Sequence, residues 1–228
     1  MTLLWFFCDR GTDSVPFALF IHLLLDSRRN RRMTQRPHCQ ICLYPLSTCI
    51  CCAVAPVKSM ANVDILQHPS EQKAAKNTAR LVTLCMPKAR VWMGEQADDF
   101  TELQSQLATE ARPIAVVYPA AGSLPLEAFI KQQEKTQQPA LALRLLFLDG
   151  TWKKAYKLWQ LNPWLQQYPQ ISIETTTSQY HIRKAPKAHY LSTLEAVAIC
   201  LQKAEHCNVQ PLYDCLHQMQ LSFSQHTR

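Results

Sequence analysis

Glycine is scarce in this 228-residue chain, which has only Gly11, Gly94, Gly122 and Gly150. Phosphate-cradling loops need closely spaced glycines so that backbone amides can approach an anion, and neither a G-x-G-x-x-G turn nor a Walker sequence can be assembled from these four. Ordinary dinucleotide and NTP sites lose support accordingly. Long apolar runs are missing as well. Val15–Leu25 is the most hydrophobic stretch, too short for the roughly 20 residues of a spanning helix. Its basic cluster (Arg28, Arg29, Arg31, Arg32) follows it rather than precedes it, and no small-residue cleavage site is apparent, so it does not read as a secretory signal. No membrane partner is expected. Residues 1–33 are expected to form a poorly ordered extension, with Met33 as an alternative start.

A strong charge excess is absent too. The formal net charge is +7, and the basic residues are dispersed except in Arg28–Arg36 and Tyr180–Lys187, so binding to a polyanion would depend on a local patch rather than on a global field.

Cysteine, in contrast, is plentiful, and half of the ten lie in Cys39–Cys52 while the others are scattered singly. That distribution fits metal binding in a reducing, cytoplasmic setting better than a secreted disulfide framework. Cys39-x2-Cys42-x6-Cys49-x-Cys51 offers four soft ligands within thirteen residues, enough for a closed tetrahedral zinc site in a knuckle over residues 34–58. Cys52 is a spare sulfur that could replace Cys51, and His38 is a weaker fifth candidate. A redox role for Cys39–Cys42 would need a helix start to stabilise the thiolate, and Pro45 follows with no helical pattern. With all four positions filled by protein, the zinc would be structural.

Beyond the knuckle, strand-length apolar runs alternate with helical periodicity. Strands are expected at Val63–Gln67, Arg90–Met93, Ile114–Tyr118, Leu143–Leu148 and Ile171–Thr175, several of them continuous apolar runs of the kind buried in parallel sheets. Helices are expected at Pro69–Leu84, Asp99–Ala108, Pro125–Lys135, Trp152–Leu161, Thr193–Ala204 and Leu212–Leu221. The alternation implies an α/β domain over residues 59–228, a mostly parallel sheet with helices on both faces.

Three segments carry polar residues into helix starts at strand or loop ends, where such sheets build their sites. In His68-Pro69-Ser70-Glu71, Pro69 and Glu71 suit a first helical turn, so Glu71 reads equally as a cap and as a functional carboxylate. His68 has no such structural excuse. In Asp149-Gly150-Thr151-Trp152 an acid ends a buried strand, a glycine permits a sharp turn, and Thr151 can cap the next helix. That helix carries Trp152, Ala155, Tyr156 and Trp159 on an apolar stripe, expected to be core apart from Trp152 at the exposed start. Ser192-x-x-Glu195 matches a capping box. Between the last two segments, Tyr180–Tyr190 is basic and aromatic, suited either to gripping phosphate and stacking bases or to a solvated loop.

Taken together, the cysteine knuckle, Ile65-Leu-Gln-His-Pro-Ser-Glu71, Leu148-Asp-Gly-Thr-Trp-Lys-Lys-Ala155, Ile182-Arg-Lys184 and Leu191-Ser-Thr-Leu-Glu-Ala196 resemble the DTW-domain family, and most closely its bacterial tRNA-uridine aminocarboxypropyltransferases. The resemblance runs from about Arg36 to the carboxyl terminus, and the namesake D-x-T-W falls on Asp149, Thr151 and Trp152. It implies a SPOUT-like, knotted α/β fold and a reaction in which the 3-amino-3-carboxypropyl group of S-adenosylmethionine moves to a uridine of tRNA, leaving methylthioadenosine. An imide N–H must lose its proton to become a nucleophile, so Asp149 is the first choice as general base, with His68 and Glu71 as further catalytic candidates. Tyr118, Pro119, Gly122, Asp149, Gly150, Thr151, Trp152, Thr193 and Glu195 are the candidate S-adenosylmethionine contacts. Arg183, Lys184, Lys187 and Lys153 are the candidate RNA contacts. A SPOUT-type methyltransferase, or a zinc-stabilised RNA-binding protein without catalysis, would share parts of this pattern.

Overall fold

The run Leu145-Leu146-Phe147-Leu148 lies in the central part of a six-stranded sheet, and a strand covered on both faces needs that unbroken apolar character. The computed structural model describes residues 37–135, 142–173, 179 and 191–225. Its strands are β1 (Asn62–Gln67), β2 (Arg90–Met93), β3 (Ile114–Val117), β4 (Leu124–Pro125), β5 (Arg144–Asp149) and β6 (Gln170–Ser172). They are ordered β2-β1-β5-β3-β6-β4, and every pairing is parallel. All carboxyl ends therefore emerge along one rim, where Gln67 is in register with Met93 on one side and Asp149 on the other.

Period-two alternation divides the sheet residues between two cores. Val63, Ile65, Leu145 and Phe147 face a layer formed by α1 (Thr78–Cys85), α3 (Leu126–Lys135), α5 (Thr193–Glu205) and α6 (Gln210–Gln225). Leu66, Val116 and Leu146 face α2 (Thr101–Ala108) and α4 (Trp152–Leu161). Helices thus cover both faces, as the alternating pattern implies. The α2–α4 face also buries a charge network: Arg144 Nε donates to Asp64 Oδ2 at 2.8 Å, Trp92 Nε1 to Asp64 Oδ1 at 2.7 Å, and Arg144 Nη1 to Glu110 Oε2 at 3.1 Å. Removing one member would leave a buried charge without its partner, so the network fixes β1, β2 and β5 to one another.

Several expectations need correction. Pro69–Leu84 is not one helix: a short 3-10 turn spans Pro69–Glu71, and α1 begins at Thr78. Asn77 causes the restart. Its Oδ1 accepts from Arg80 N at 3.0 Å as an N-cap, while its Nδ2 donates to Glu71 O at 3.0 Å, so the side chain takes up backbone groups a continuous helix would have used. Pro125 does not open α3 but ends β4, an edge strand where its missing N–H leaves no ladder bond unmade. β6 spans Gln170–Ser172, and the end of the expected strand, Thr175, lies outside the described residues. On α4 the buried stripe is Ala155, Leu158 and Trp159, and Tyr156 is 57% exposed rather than core.

The cysteine knuckle joins the first core. Cys42, Tyr44, Ile50 and Val57 are buried with α1 and α6. Tyr44 meets Phe223 edge to face, with ring centroids 6.2 Å apart, and its hydroxyl donates to Asn77 O at 3.3 Å. The knuckle is thereby pinned to the carboxyl end of α6 and to the cap of α1.

Candidate active site

Asp149 ends β5 on the face shared with Gln67, because 145, 147 and 149 alternate with 144, 146 and 148 just as 63, 65 and 67 alternate with 64 and 66. Its carboxylate is 8% exposed and held from two sides. Gln67 Nε2 donates to Oδ2 at 2.7 Å, and the Thr193 hydroxyl donates to Oδ1. Thr193 is the first residue of α5, so the acid sits at a helix amino end, where the backbone dipole favours negative charge. Gly150 is required next: a Cβ there would lie 2.9 Å from Lys154 Cβ, too close unless the first turn of α4 moved. Thr151 caps that turn, accepting from Lys154 N at 3.4 Å.

His68 enters the same turn through its backbone, with its N–H donating to Asp149 O at 3.1 Å. Its Nδ1 accepts from Ser70 N at 3.2 Å and lies 2.8 Å from Ser70 Oγ. That leaves Nε2 to carry the proton and donate to Glu95 Oε1 at 2.8 Å. Lys157 reaches the same oxygen at 2.8 Å. The hydrogen bonds from Lys157 and His68 pull the Glu95 carboxyl below its ordinary range. Glu71 is buried, and it pairs with Lys154 Nζ at 2.8 Å. His68, rather than Glu71, caps the 3-10 turn.

Along the rim, Tyr118 stacks on Trp159 with centroids 4.9 Å apart, and burial pushes its hydroxyl pKa up. Its ring belongs to the second core, so a ligand there would meet its backbone. Pro119 and Gly122 are exposed, and Gly122 holds a left-handed φ of 84° in open space. Trp152 and Lys153 are exposed on α4, with Tyr156 one turn further along. Ser192 and Glu195 form the expected capping box, and Glu195 also accepts from Gln179 N at 2.6 Å. Arg183, Lys184 and Lys187 lie outside the described residues.

The four knuckle sulfurs converge. Sγ of Cys39, Cys42, Cys49 and Cys51 all lie within 4.8 Å of one another, with Cys39–Cys51 at 3.6 Å and Cys42–Cys49 at 3.7 Å. A tetrahedron of thiolates on zinc has edges of roughly 3.8 Å, so the set fits such an ion. Cys51 rather than Cys52 completes it, and His38 is not part of it. Backbone amides of Cys42 and then Ile41 hold the Cys39 thiol down at about 6, whereas burial pushes the Cys49 and Cys51 thiols up. No helix starts at Cys39, which removes the basis for a redox pair.

Between knuckle and sheet lies an open cleft of about 210 Å³, lined by Leu43, Gln67, Asn77, Arg80, Thr83 and Met93 among others. Three residues at this site were not singled out in the sequence: Gln67, Asn77 and Glu95. Gln67 alone left a trace in the sequence, a polar residue closing an apolar strand, and it gains meaning only from the pairing of that strand with the one that ends in Asp149.

A family model described as the DTW domain matches residues 36–224. The chain is 30% identical over 181 residues to a protein named tRNA-uridine aminocarboxypropyltransferase 2 from Macaca fascicularis, an alignment covering 76% of this chain and 58% of that protein. It is 32% identical to the protein of that name from Mus musculus, with the same coverage, and 30% identical to that from Drosophila melanogaster, covering 75% of this chain and 68% of the relative. The chain thus spans under two thirds of the length of the two mammalian relatives. No solved structure matches it.

Proposed function

Since the chain belongs to the DTW-domain family, we propose that it is an S-adenosylmethionine-dependent tRNA-uridine aminocarboxypropyltransferase, acting in the cytoplasm. The observation that carries the proposal is the placement of Asp149: a carboxylate at the strand rim, oriented by Gln67 and Thr193 and flanked by the glycine turn into α4.

In this reading Asp149 accepts the proton from the uracil N3, and the freed nitrogen pair forms the new N–C bond. S-adenosylmethionine supplies a sulfonium whose γ-methylene is electrophilic, and the C–S bonding pair leaves with sulfur as the neutral thioether methylthioadenosine. Gln67 and Thr193 keep the carboxylate in one orientation, which matters because all carbons on the sulfonium are activated and selectivity must come from positioning. Pro119, Gly122, Gly150, Thr151, Trp152 and the backbone of Tyr118 would hold the co-substrate, with Thr193 and Glu195 ordering the facing helix start. His68 and Glu71 are assigned to shaping the turn through Glu95 and Lys154. Arg183, Lys184, Lys187 and Lys153 would meet the RNA backbone. Zinc on Cys39, Cys42, Cys49 and Cys51 would be structural, since all four positions are filled by protein.

The test is incubation with unmodified tRNA and S-adenosylmethionine labelled in its carboxyl group. Label in the RNA together with methylthioadenosine is the expected result. S-adenosylhomocysteine with unlabelled RNA would instead identify a methyltransferase.

A further inference from the structure

Gln67 has two hydrogens and one carbonyl oxygen to place, and its neighbours settle which faces where. Nε2 must point at the Asp149 carboxylate, 2.7 Å away, and it also lies 3.5 Å from Asn77 Oδ1, itself an acceptor held by the amide of Arg80. Both hydrogens are therefore directed at acceptors, and only Oε1 remains. Among the described residues no donor reaches that oxygen, and it is open to the cleft rather than sealed in the interior. Gln67 lines the cleft between knuckle and sheet, so a ligand there can supply the missing donor.

The other walls describe that ligand. Leu43, Val91 and Met93 are apolar, Arg80 adds the edge of a guanidinium, and no carboxylate lines the cleft. Its volume of about 210 Å³ lies below the roughly 300 Å³ at which pockets for whole cofactors begin, which favours a single flat ring. Leu43 is delivered to the wall by a left-handed backbone, φ 60°, a conformation that is costly for a leucine.

We propose that this cleft is the nucleobase subsite and that Gln67 is its specificity-determining residue: its carbonyl accepts the N3–H of the incoming base, while its amide group holds Asp149 alongside to take that proton when the N–C bond forms. The proposal rests on the tRNA-uridine reading, and it adds where the base sits and why it is uracil. Uracil carries a hydrogen on N3. Cytosine presents a lone pair there, so it would place two acceptors face to face.

The test uses the full chain with methyl-13C-methionine, the Met93 signal being assigned with Met93→Leu. Titration with uridine 5′-monophosphate should move the Met93 methyl resonance saturably through the ring current of a seated base. Cytidine and 3-methyluridine 5′-monophosphates, which lack the N3 hydrogen, should move it at least tenfold less at equal concentration. Gln67→Met, with folding checked by its spectrum, should abolish the difference. No shift of Met93 with the uridine nucleotide, or an equal response to all three, overturns the proposal. Transfer is scored separately: a preparation showing the Met93 response but no labelled tRNA would refute the proposed activity while leaving the subsite standing. Efficient transfer by a Thr83→Trp variant, whose indole fills the cleft, would refute the subsite and leave the activity intact.

Discussion

Gln67 and Asp149 stand opposite each other in the β1–β5 ladder, joined by a 2.7 Å hydrogen bond between their side chains. Two neighbouring strands thus end in a donor and an acceptor at the same height of the rim. The carboxylate cannot rotate freely, and the group that restrains it also lines the cleft.

Replacing Asp149 by Asn keeps size and most contacts but removes the basic oxygen. Transfer to tRNA should fall by about 10²- to 10⁴-fold, the usual share of a positioned general base, with little change in thermal unfolding. Nucleoside mass spectrometry measures the product, and near-normal amounts of modified uridine would exclude Asp149 from proton transfer.

Cys42→Ser removes a buried ligand from the sulfur tetrad. Elemental analysis of the purified variant should find roughly one equivalent of zinc fewer than in the parent, together with a lower unfolding temperature. Equal metal content in both proteins would contradict the site.

Leu43→Gly separates the subsite from the fold. Glycine accepts φ 60° without strain, so stability should stay within about 1 kcal/mol of the parent, the backbone relief offsetting lost side-chain contact. Uridine nucleotide should nevertheless bind several-fold more weakly in the methyl-methionine titration. Unchanged affinity would show that Leu43 forms no part of the binding wall.

Glu110 supplies a pH dependence with a defined sign. Burial alone would raise its carboxyl pKa, but the hydrogen bonds from Arg112, with Arg144, outweigh it and hold the group at about 2. The folded value lies below the unfolded value of about 4.3. The stabilisation is therefore fully present above that unfolded value and is lost as pH falls toward 2. Glu110→Gln should be less stable than the parent at neutral pH, and the difference should shrink through this interval when followed by circular dichroism. A difference independent of pH would deny the carboxylate that role.

The sheet was legible because its strands are written as unbroken apolar runs, as in Leu145–Leu148, and burial on two faces leaves no other reading. The acid at the end of β5 and the sulfur tetrad were legible for a similar reason: a charged group closing such a run, or four thiols in thirteen residues, has few alternatives. Position 77 shows where that clarity ends. An asparagine inside a helix-compatible stretch does not announce that its side chain will capture Arg80 N and Glu71 O and restart the helix. Tyr156 failed differently. Spacing placed it on the apolar stripe, but Leu158 completed the buried face and left the tyrosine outward. Gln67 was overlooked because an amide becomes informative only once its neighbour across the ladder is known.

Tyr44 lies two residues after Cys42, and its hydroxyl ends on the carbonyl of Asn77, whose side chain touches Gln67. An ion held by the sulfur tetrad would therefore be linked, through Tyr44, Asn77 and Gln67, to the orientation of the Asp149 carboxylate.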